Sequence, residues 1–472
     1  MSIMSYMPSG LNVNGLIKEY YVYAGGNVNA GNFVDFINGV SGQTTKTATK
    51  TTFQSTWSYN LRACEIDTNK ALITYEVGFG EASGGLNNPD QYKCRACVAT
   101  ISNDTTITFG QEYEFYDYSA GIRYTSPILI NIDTNKALYS YNYEVAEDNI
   151  EAYSMVISVS GDTITFGSKT KVSRTWGLYI SSCKVDTNKA FIAFQNSYSD
   201  NKGGGRVLPI SGTTISTGSV TNFTSSLPMY ESRCTSHDTN KVVIAFEDGG
   251  NNSYGTLVAG TVSGTSVSFG SRVIYESANI STIAAICGID TNKTIMAYQN
   301  SADDLSTIRI ITTSGNTITL NDGISFNEGR EIGWGIYMKK VDTNKAVILY
   351  KDYNTSATST IMIVSVSGTN ISFGTRHNCH SYLNYDNEDS NNGIVLINNN
   401  RLLIAYEYGK YFYNNLMFIS GTTVSNKLTI TNYETQVKKA TTNLFDGVAK
   451  TSGAGGTSTA HKDKISICVP NI

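Results

Sequence analysis

Seven copies of one short turn constrain this chain more than anything else in it. The tetrapeptide DTNK starts at Asp67, Asp133, Asp186, Asp238, Asp290 and Asp342, and a variant, NNNR, starts at Asn398. A short apolar run precedes each copy, and a second one ending in Tyr or Phe follows it, as in CEI-DTNK-ALITYE and CKV-DTNK-AFIAFQ. That pattern predicts a β-hairpin, because Asp accepts hydrogen bonds from the amides that follow it and Asn enters the left-handed region readily. The starts lie 66, 53, 52, 52, 52 and 56 residues apart. A period of this size marks a repeat architecture in which each unit is one supersecondary module.

A second turn recurs inside each repeat: SNDT at Ser102, SGDT at Ser160, SGTT at Ser211, SGTS at Ser263, SGNT at Ser314, SGTN at Ser367 and SGTT at Ser420. Gly at the first central position suits a two-residue hairpin of type II′, which needs positive φ there. Two hairpins per repeat make four strands, and seven such units predict an all-β, seven-bladed β-propeller. The expected division is 1–44 and 433–472 as the two halves of a small β anchoring module, with 45–432 as the propeller. SGQT at Ser41 echoes the second turn, so the N-terminal end can also lend a strand to the repeats.

The strand after DTNK carries apolar residues on both alternating faces, as a strand covered on both sides requires. Small residues recur midway (Thr74, Ser140, Ala193, Ala245, Ala297, Ala405), which lets neighbouring sheets approach. The aromatic ends, Tyr75, Tyr141, Phe194, Phe246, Tyr298, Tyr350 and Tyr406, are expected in the core. The polar residues that follow, including Glu76, Gln195, Glu247, Gln299 and Glu407, are expected at a wet channel mouth. Cys64, Cys183, Cys234 and Cys287 occupy nearly the same position before the turn, where Ile130 and Val395 stand in other repeats, and read as buried thiols.

Function classes can be excluded on similar grounds. A net charge of −4 without clustered Lys and Arg argues against nucleic acid. The opening MSIMSYMPSG has no secretory character, and no apolar run reaches the roughly 20 residues of a membrane span. No cofactor fingerprint appears. Cys94 and Cys97 (CRAC) lack a second ligand pair for zinc, and HNCH at 377–380 is a weak candidate for the same reason, so no metal is expected. Glu76, Glu144, Asp248, Asp303, Asp304 and Asp352 supply carboxylates without the distinctive pair a glycosidase needs, so the sequence predicts no catalytic residues.

Both repeated turns lie at one end of the strands and are nearly uniform, while the segments at the opposite end differ in length and content, from EVGFGEASGGLNNPDQYK to EDGGNNSYGT. Varied loops on a uniform scaffold are the expected place for recognition. Trp57, Trp176 and Trp334 fall there, with Tyr179, Tyr198, Tyr254, Tyr337, Tyr353, Tyr411 and Tyr413. Flat amphipathic rings beside Asn, Asp and Ser suit sugars, so these ten residues are the candidate ligand site.

The chain ends carry a resemblance. YYVYAGGNVNAGNFVDFI, with Ala30-Gly31 and Val34, and FDGVAKTSGAGG with KISICVPN, including Gly447-Val448-Ala449, resemble the small β-modules of accessory virion-surface proteins of tailed bacteriophages. The resemblance covers about 65 residues and implies a virion protein made in a bacterial cytoplasm. It further implies partners among tail, baseplate or capsid proteins, a homo-oligomeric assembly, and contact with host surface polysaccharide. A tail-fibre or receptor-binding role is the first expectation. A capsid decoration (head-fibre) protein and a polysaccharide hydrolase are the alternatives.

Overall fold

The computed structural model describes residues 58–380 apart from 79–91, 103–105, 118–126, 147–148, 175–178, 197–200, 225–227, 301–304, 329–331, 333–335 and 353–357; outside that span it describes only strands. The chain divides into two compact units, Ala48–Asn426 and a terminal unit made of Met1–Thr47 with Lys427–Ile472. In the terminal unit both chain ends share one five-stranded sheet, in the order Ile17–Tyr23, Lys464–Pro470, Gly447–Ala449, Phe33–Ile37, Gln436–Lys439. A separate ribbon pairs Gly42–Thr47 with Lys427–Asn432.

The larger unit is a propeller. In the second repeat Ile128–Asp133, Lys136–Ala146 and Asn149–Ser160 run antiparallel in that order, and the outermost strand is split into Thr163–Phe166 and Thr170–Arg174. The other repeats follow the same plan. Among the described residues the repeats form six sheets, so the expectation of seven blades is corrected to six. The fourth and fifth repeats do not separate. One uninterrupted strand, Val273–Asp290, pairs at its start with Tyr254–Ser263 and at its end with Lys293–Asn300, which makes a single nine-stranded sheet. The cause lies in the junction. Other junctions contain Gly or Pro (Pro127, Gly177, Pro228, Gly333), whereas ESANISTIA offers neither breaker and is continuous with β-branched sequence on both sides.

The core lies between neighbouring sheets. Val242, Ile244 and Phe246 face the third repeat, while Val243 and Ala245 on the same strand face the fifth. The aromatic ends Tyr75, Tyr141, Phe194, Phe246, Tyr298 and Tyr350 are buried as predicted, each contributing about 1.5–3 kcal/mol of apolar burial. Cys64, Cys183 and Cys287 are buried too. Burial pushes the Cys64 thiol up to about 12 and Cys287 up to about 11.

Turn chemistry accounts for the uniform end. In all six DTNK copies the Asp Oδ1 accepts from the next backbone amide at 2.7–2.9 Å. The Asn is left-handed in each, with φ between 53° and 59°. The ladder shifts register just before the turn, as in hairpins whose left-handed residue closes the loop as a bulge. That Asn also joins repeats. Its carbonyl accepts from the third strand of its own repeat, as in Val262 N to Asn240 O at 2.9 Å, and in Asn135, Asn240 and Asn344 the amide donates to the preceding repeat, as in Asn240 N to Val185 O at 2.7 Å. Its side chain takes part as well: Lys189 Nζ donates to Asn240 Oδ1, Lys293 Nζ to Asn344 Oδ1, and Arg401 Nη1 to Asn69 Oδ1. The last of these links the NNNR copy to the first DTNK. Closure is also made in the ladder, where Thr51–Gln54 pairs with Tyr411–Ser420 beside Thr423–Ser425. The outer strand of the last sheet is therefore assembled from both sides of the repeat body.

Candidate functional site on the variable-loop end

Few of the ten candidate residues can be placed in full. Trp57, Trp176, Tyr198, Trp334 and Tyr353 lie outside the described residues. Tyr411 and Tyr413 belong to the strand that closes the last sheet, and only their backbone is described. Tyr179 and Tyr254 are half-buried at the loop end. Tyr179 meets Tyr230 edge to face at 5.9 Å, and its carbonyl accepts from Ser232 Oγ. Tyr254 begins its strand opposite Asp248. Tyr337 departs from expectation: it is buried among Val347, Leu349, Ile361 and Leu402, between the sixth and seventh repeats. Its phase along the strand turns it into the core.

Three of the five polar residues after the core aromatics are not at a wet mouth, while Glu247 is half-buried and the side chain of Glu407 lies outside the described residues. Glu76, Gln195 and Gln299 are buried. Gln195 Nε2 donates to Met229 O in the next repeat at 2.8 Å, and Asn60 Nδ2 donates to Glu76 at 3.0 Å. These bonds satisfy a buried backbone carbonyl and a buried carboxylate, as buried polar groups require. The carboxylates behave similarly: Asp248 is held by Arg272 at 2.5 Å, and burial raises its pKa despite that partner. Asp352 is buried, and the side chains of Glu144, Asp303 and Asp304 lie outside the described residues. Cys94 and Cys97 stand three apart on one strand, hence on opposite faces, so they do not converge on a common ligand. Among the described residues no group of three or more His, Cys, Asp and Glu is placed to hold a metal ion.

Two crevices between sheets carry distinctive chemistry. Between the fourth and fifth repeats, Tyr298 is buried against Tyr275, ring centroids 4.9 Å apart. Arg309 Nε donates to its hydroxyl at 2.9 Å, and that hydroxyl donates to Glu276 at 3.2 Å. Burial raises the Tyr298 phenol against the opposing pull of Arg309. A tyrosine nucleophile needs the reverse: an accessible oxygen with a lowered pKa. This trio anchors the core.

Between the first and second repeats the arrangement is more open. Tyr143 pairs directly with Glu151, Tyr141 with Tyr153, Lys171 with Tyr153 and Arg174 with Glu151, so all of these side chains leave the sheet on the face toward the first repeat. Tyr143 and Tyr153 are half-buried and meet at 72° with centroids 6.3 Å apart; Tyr141 stacks beneath Tyr153 at 6.0 Å. Across the crevice, Tyr113 and Phe115 of the first repeat are half-buried against the same core. Glu151 receives hydrogen bonds from Tyr153 Oη at 2.6 Å and from Lys171 Nζ. Burial opposes its charge, but those two donors together with the charges of Lys171 and Arg174 outweigh burial and hold its carboxyl below the usual range. The ammonium of exposed Lys169 lies 5.5 and 5.7 Å from the centroids of Tyr153 and Tyr143. None of these side chains is among the ten sequence candidates. The available signal was the alternation in YSYNY, with EAYS on the next strand, which gains meaning only once the register aligns them.

No protein-family model matches the chain, and no curated protein does. Solved structures do match. The BP39L lectin from Burkholderia pseudomallei aligns with 80% of this chain and 100% of its own, with a TM-score of 0.54 and 8% identity. The β-propeller domain of the Trilobed protease from Pyrococcus furiosus covers 80% of this chain and 99% of its own, at 10% identity and a TM-score of 0.42. The Hadza microbial sialidase Hz136 covers 78% and 66%, at 10% identity and 0.42. At these identities the likeness to the lectin is one of fold, and the fold is a β-propeller.

Proposed function

We propose that this protein is a non-enzymatic glycan-binding propeller, a tail-fibre or receptor-binding component of a phage virion that engages host surface polysaccharide through its variable-loop end. The observation that carries the reading is the pairing of half-buried tyrosines with fixed charged partners at the end where the repeats differ, against a uniform opposite end. Sugars suit such a surface, since their C–H faces stack on rings while hydroxyls meet carboxylates, amines and amides. The shared fold with a lectin is in keeping with it. The virion assignment is supported by the resemblance of the terminal segments, which together build one sheet. Copies arranged by homo-oligomerisation raise avidity without new contacts.

The test uses the whole chain and purified cell-envelope polysaccharides printed as an array. Saturable binding without release of reducing ends is the expected outcome. Failure to bind any envelope polysaccharide at high protein concentration overturns the reading, and reducing-end release replaces it with a hydrolase. Labelled protein located in intact particles by electron microscopy distinguishes tail from capsid.

A further inference from the structure

We infer that the crevice between the first and second repeats is a pyranose-binding subsite, with Tyr143 and Tyr153 as its stacking platform and the Glu151–Lys171 pair as its hydroxyl-binding edge. The inference rests on the glycan reading above and gives it an address. Tyr143 and Tyr153 stand on adjacent strands on one face of the sheet, and their 72° angle makes a corner that presents one ring's face beside the other's edge. A pyranose has the matching shape, with an apolar C–H face and a girdle of hydroxyls. Stacking a sugar on such a ring buries apolar area on both partners.

The hydroxyl-binding edge is already in place. Glu151 is fixed by two donors, Tyr153 Oη and Lys171 Nζ, and these leave further acceptor capacity on a carboxylate that stays charged. Lys171 is 45% exposed at its side chain, against 11% for Glu151, so the ammonium can turn donors outward while still holding the carboxylate. Such groups provide acceptor and donor side by side at the rim of an aromatic surface, the combination a vicinal diol needs. Lys169 lies over both rings from the exposed break between the two parts of the outermost strand. A sugar seated on the platform would cover Lys169 or displace it, and either event changes what solvent can reach at that amine. The neighbouring crevices are built otherwise. Between the third and fourth repeats Phe223 packs on Phe246 with centroids 5.3 Å apart, without a charged partner on either ring among the described residues, and between the fourth and fifth the Tyr298 ring is fully buried.

The experiment is amine footprinting of the wild-type protein. The array's strongest-binding polysaccharide, in purified form, is added before brief acetylation, and lysine modification is read by mass spectrometry. Lys169 and Lys171 are expected to be protected severalfold, while Lys184 and Lys340, exposed two residues before their turns at the other end, keep their rates. Tyr143→Ala is expected to weaken binding of the same polysaccharide about tenfold, and Glu151→Gln severalfold, with a cooperative thermal unfolding transition in each variant as the control for folding. Binding with no protection at Lys169, or with protection confined to other loops, overturns the subsite and leaves the glycan reading standing. Absence of any binding by the wild type overturns both.

Discussion

At the turn end, six Asp-Thr-Asn turns repeat one set of hydrogen bonds, whereas at the loop end the crevices between repeats one and two, three and four, and four and five hold different chemistry: tyrosines with a lysine–glutamate pair, bare phenylalanines, and a buried Tyr–Arg–Glu trio. The contrast follows from what each end must satisfy. A turn-end Asn such as Asn240 serves its own repeat through its carbonyl and the preceding repeat through its amide, so a change there disturbs two repeats at once. A loop-end residue meets only the sheets that flank it. Uniformity therefore marks scaffold, and variety marks the surface free to specialise.

The comparison breaks most readily at Gly218. A Cβ built there would stand 1.9 Å from the carbonyl oxygen of Thr265 in the next repeat's turn, and backbone cannot yield as a side chain can. Gly218→Ala is expected to cost about 3 kcal/mol in chemical denaturation, the upper range for an overpacked site. A loss under about 1 kcal/mol would mean that the turn end is not the rigid partner claimed.

Asn240 comes next. Replacing it with Ala keeps the backbone bonds in principle, but forces a Cβ-bearing residue without a compensating side chain into φ near 58° and removes the acceptor for Lys189. About 1–2 kcal/mol is the expected loss. Asn240→Gly should recover roughly half of it, because glycine tolerates the angle yet still lacks the acceptor. Equal losses in the two variants would assign the whole effect to the side-chain bond.

These two positions also show what could be read in advance. Asp and Asn in a DTNK hairpin carry their geometry locally, so the turns, the four-stranded repeat and the buried aromatic ends were legible from residue types alone. The fusion of repeats four and five was not, because it depends on the absence of a breaker in ESANISTIA rather than on any residue present. Arg401 and Asn69 meet across 332 positions of sequence, a contact that only ring closure creates. The Tyr143–Glu151–Tyr153 cluster was hidden for a related reason: strand register, set by the hairpin between them, decides that these side chains share a face. Tyr337 misled because its place near the loop end says nothing of which face it takes.

Asp248 sharpens the comparison through pH. Burial raises its folded-state pKa, so the folded protein binds a proton that the unfolded chain has already released. Stability from this group is present at low pH and is lost as pH rises from the ordinary aspartate value of about 3.9 through the higher folded value. The stability difference between wild type and Asp248→Asn is thus expected to shift against the wild type across that window and to level off above it. Glu247 is shifted in the same direction by burial, and subtracting the variant's profile removes its share. A flat difference would show that Arg272 fully offsets the burial of Asp248.

The smallest effect is expected at the loop end itself. Lys169 is exposed, and its two ring contacts are each worth about 0.5–1 kcal/mol at most in such a setting. Because the lysine also gives up side-chain freedom to hold that pose, Lys169→Ala is expected to change unfolding free energy by less than about 0.5 kcal/mol. The same denaturation series that registers Gly218→Ala and Asn240→Ala checks it. A loss comparable to that of Asn240→Ala would make the lysine part of the scaffold. The boundary between a fixed end and a free end would then have to be redrawn through the second repeat, with Tyr143 and Tyr153 on the structural side of it.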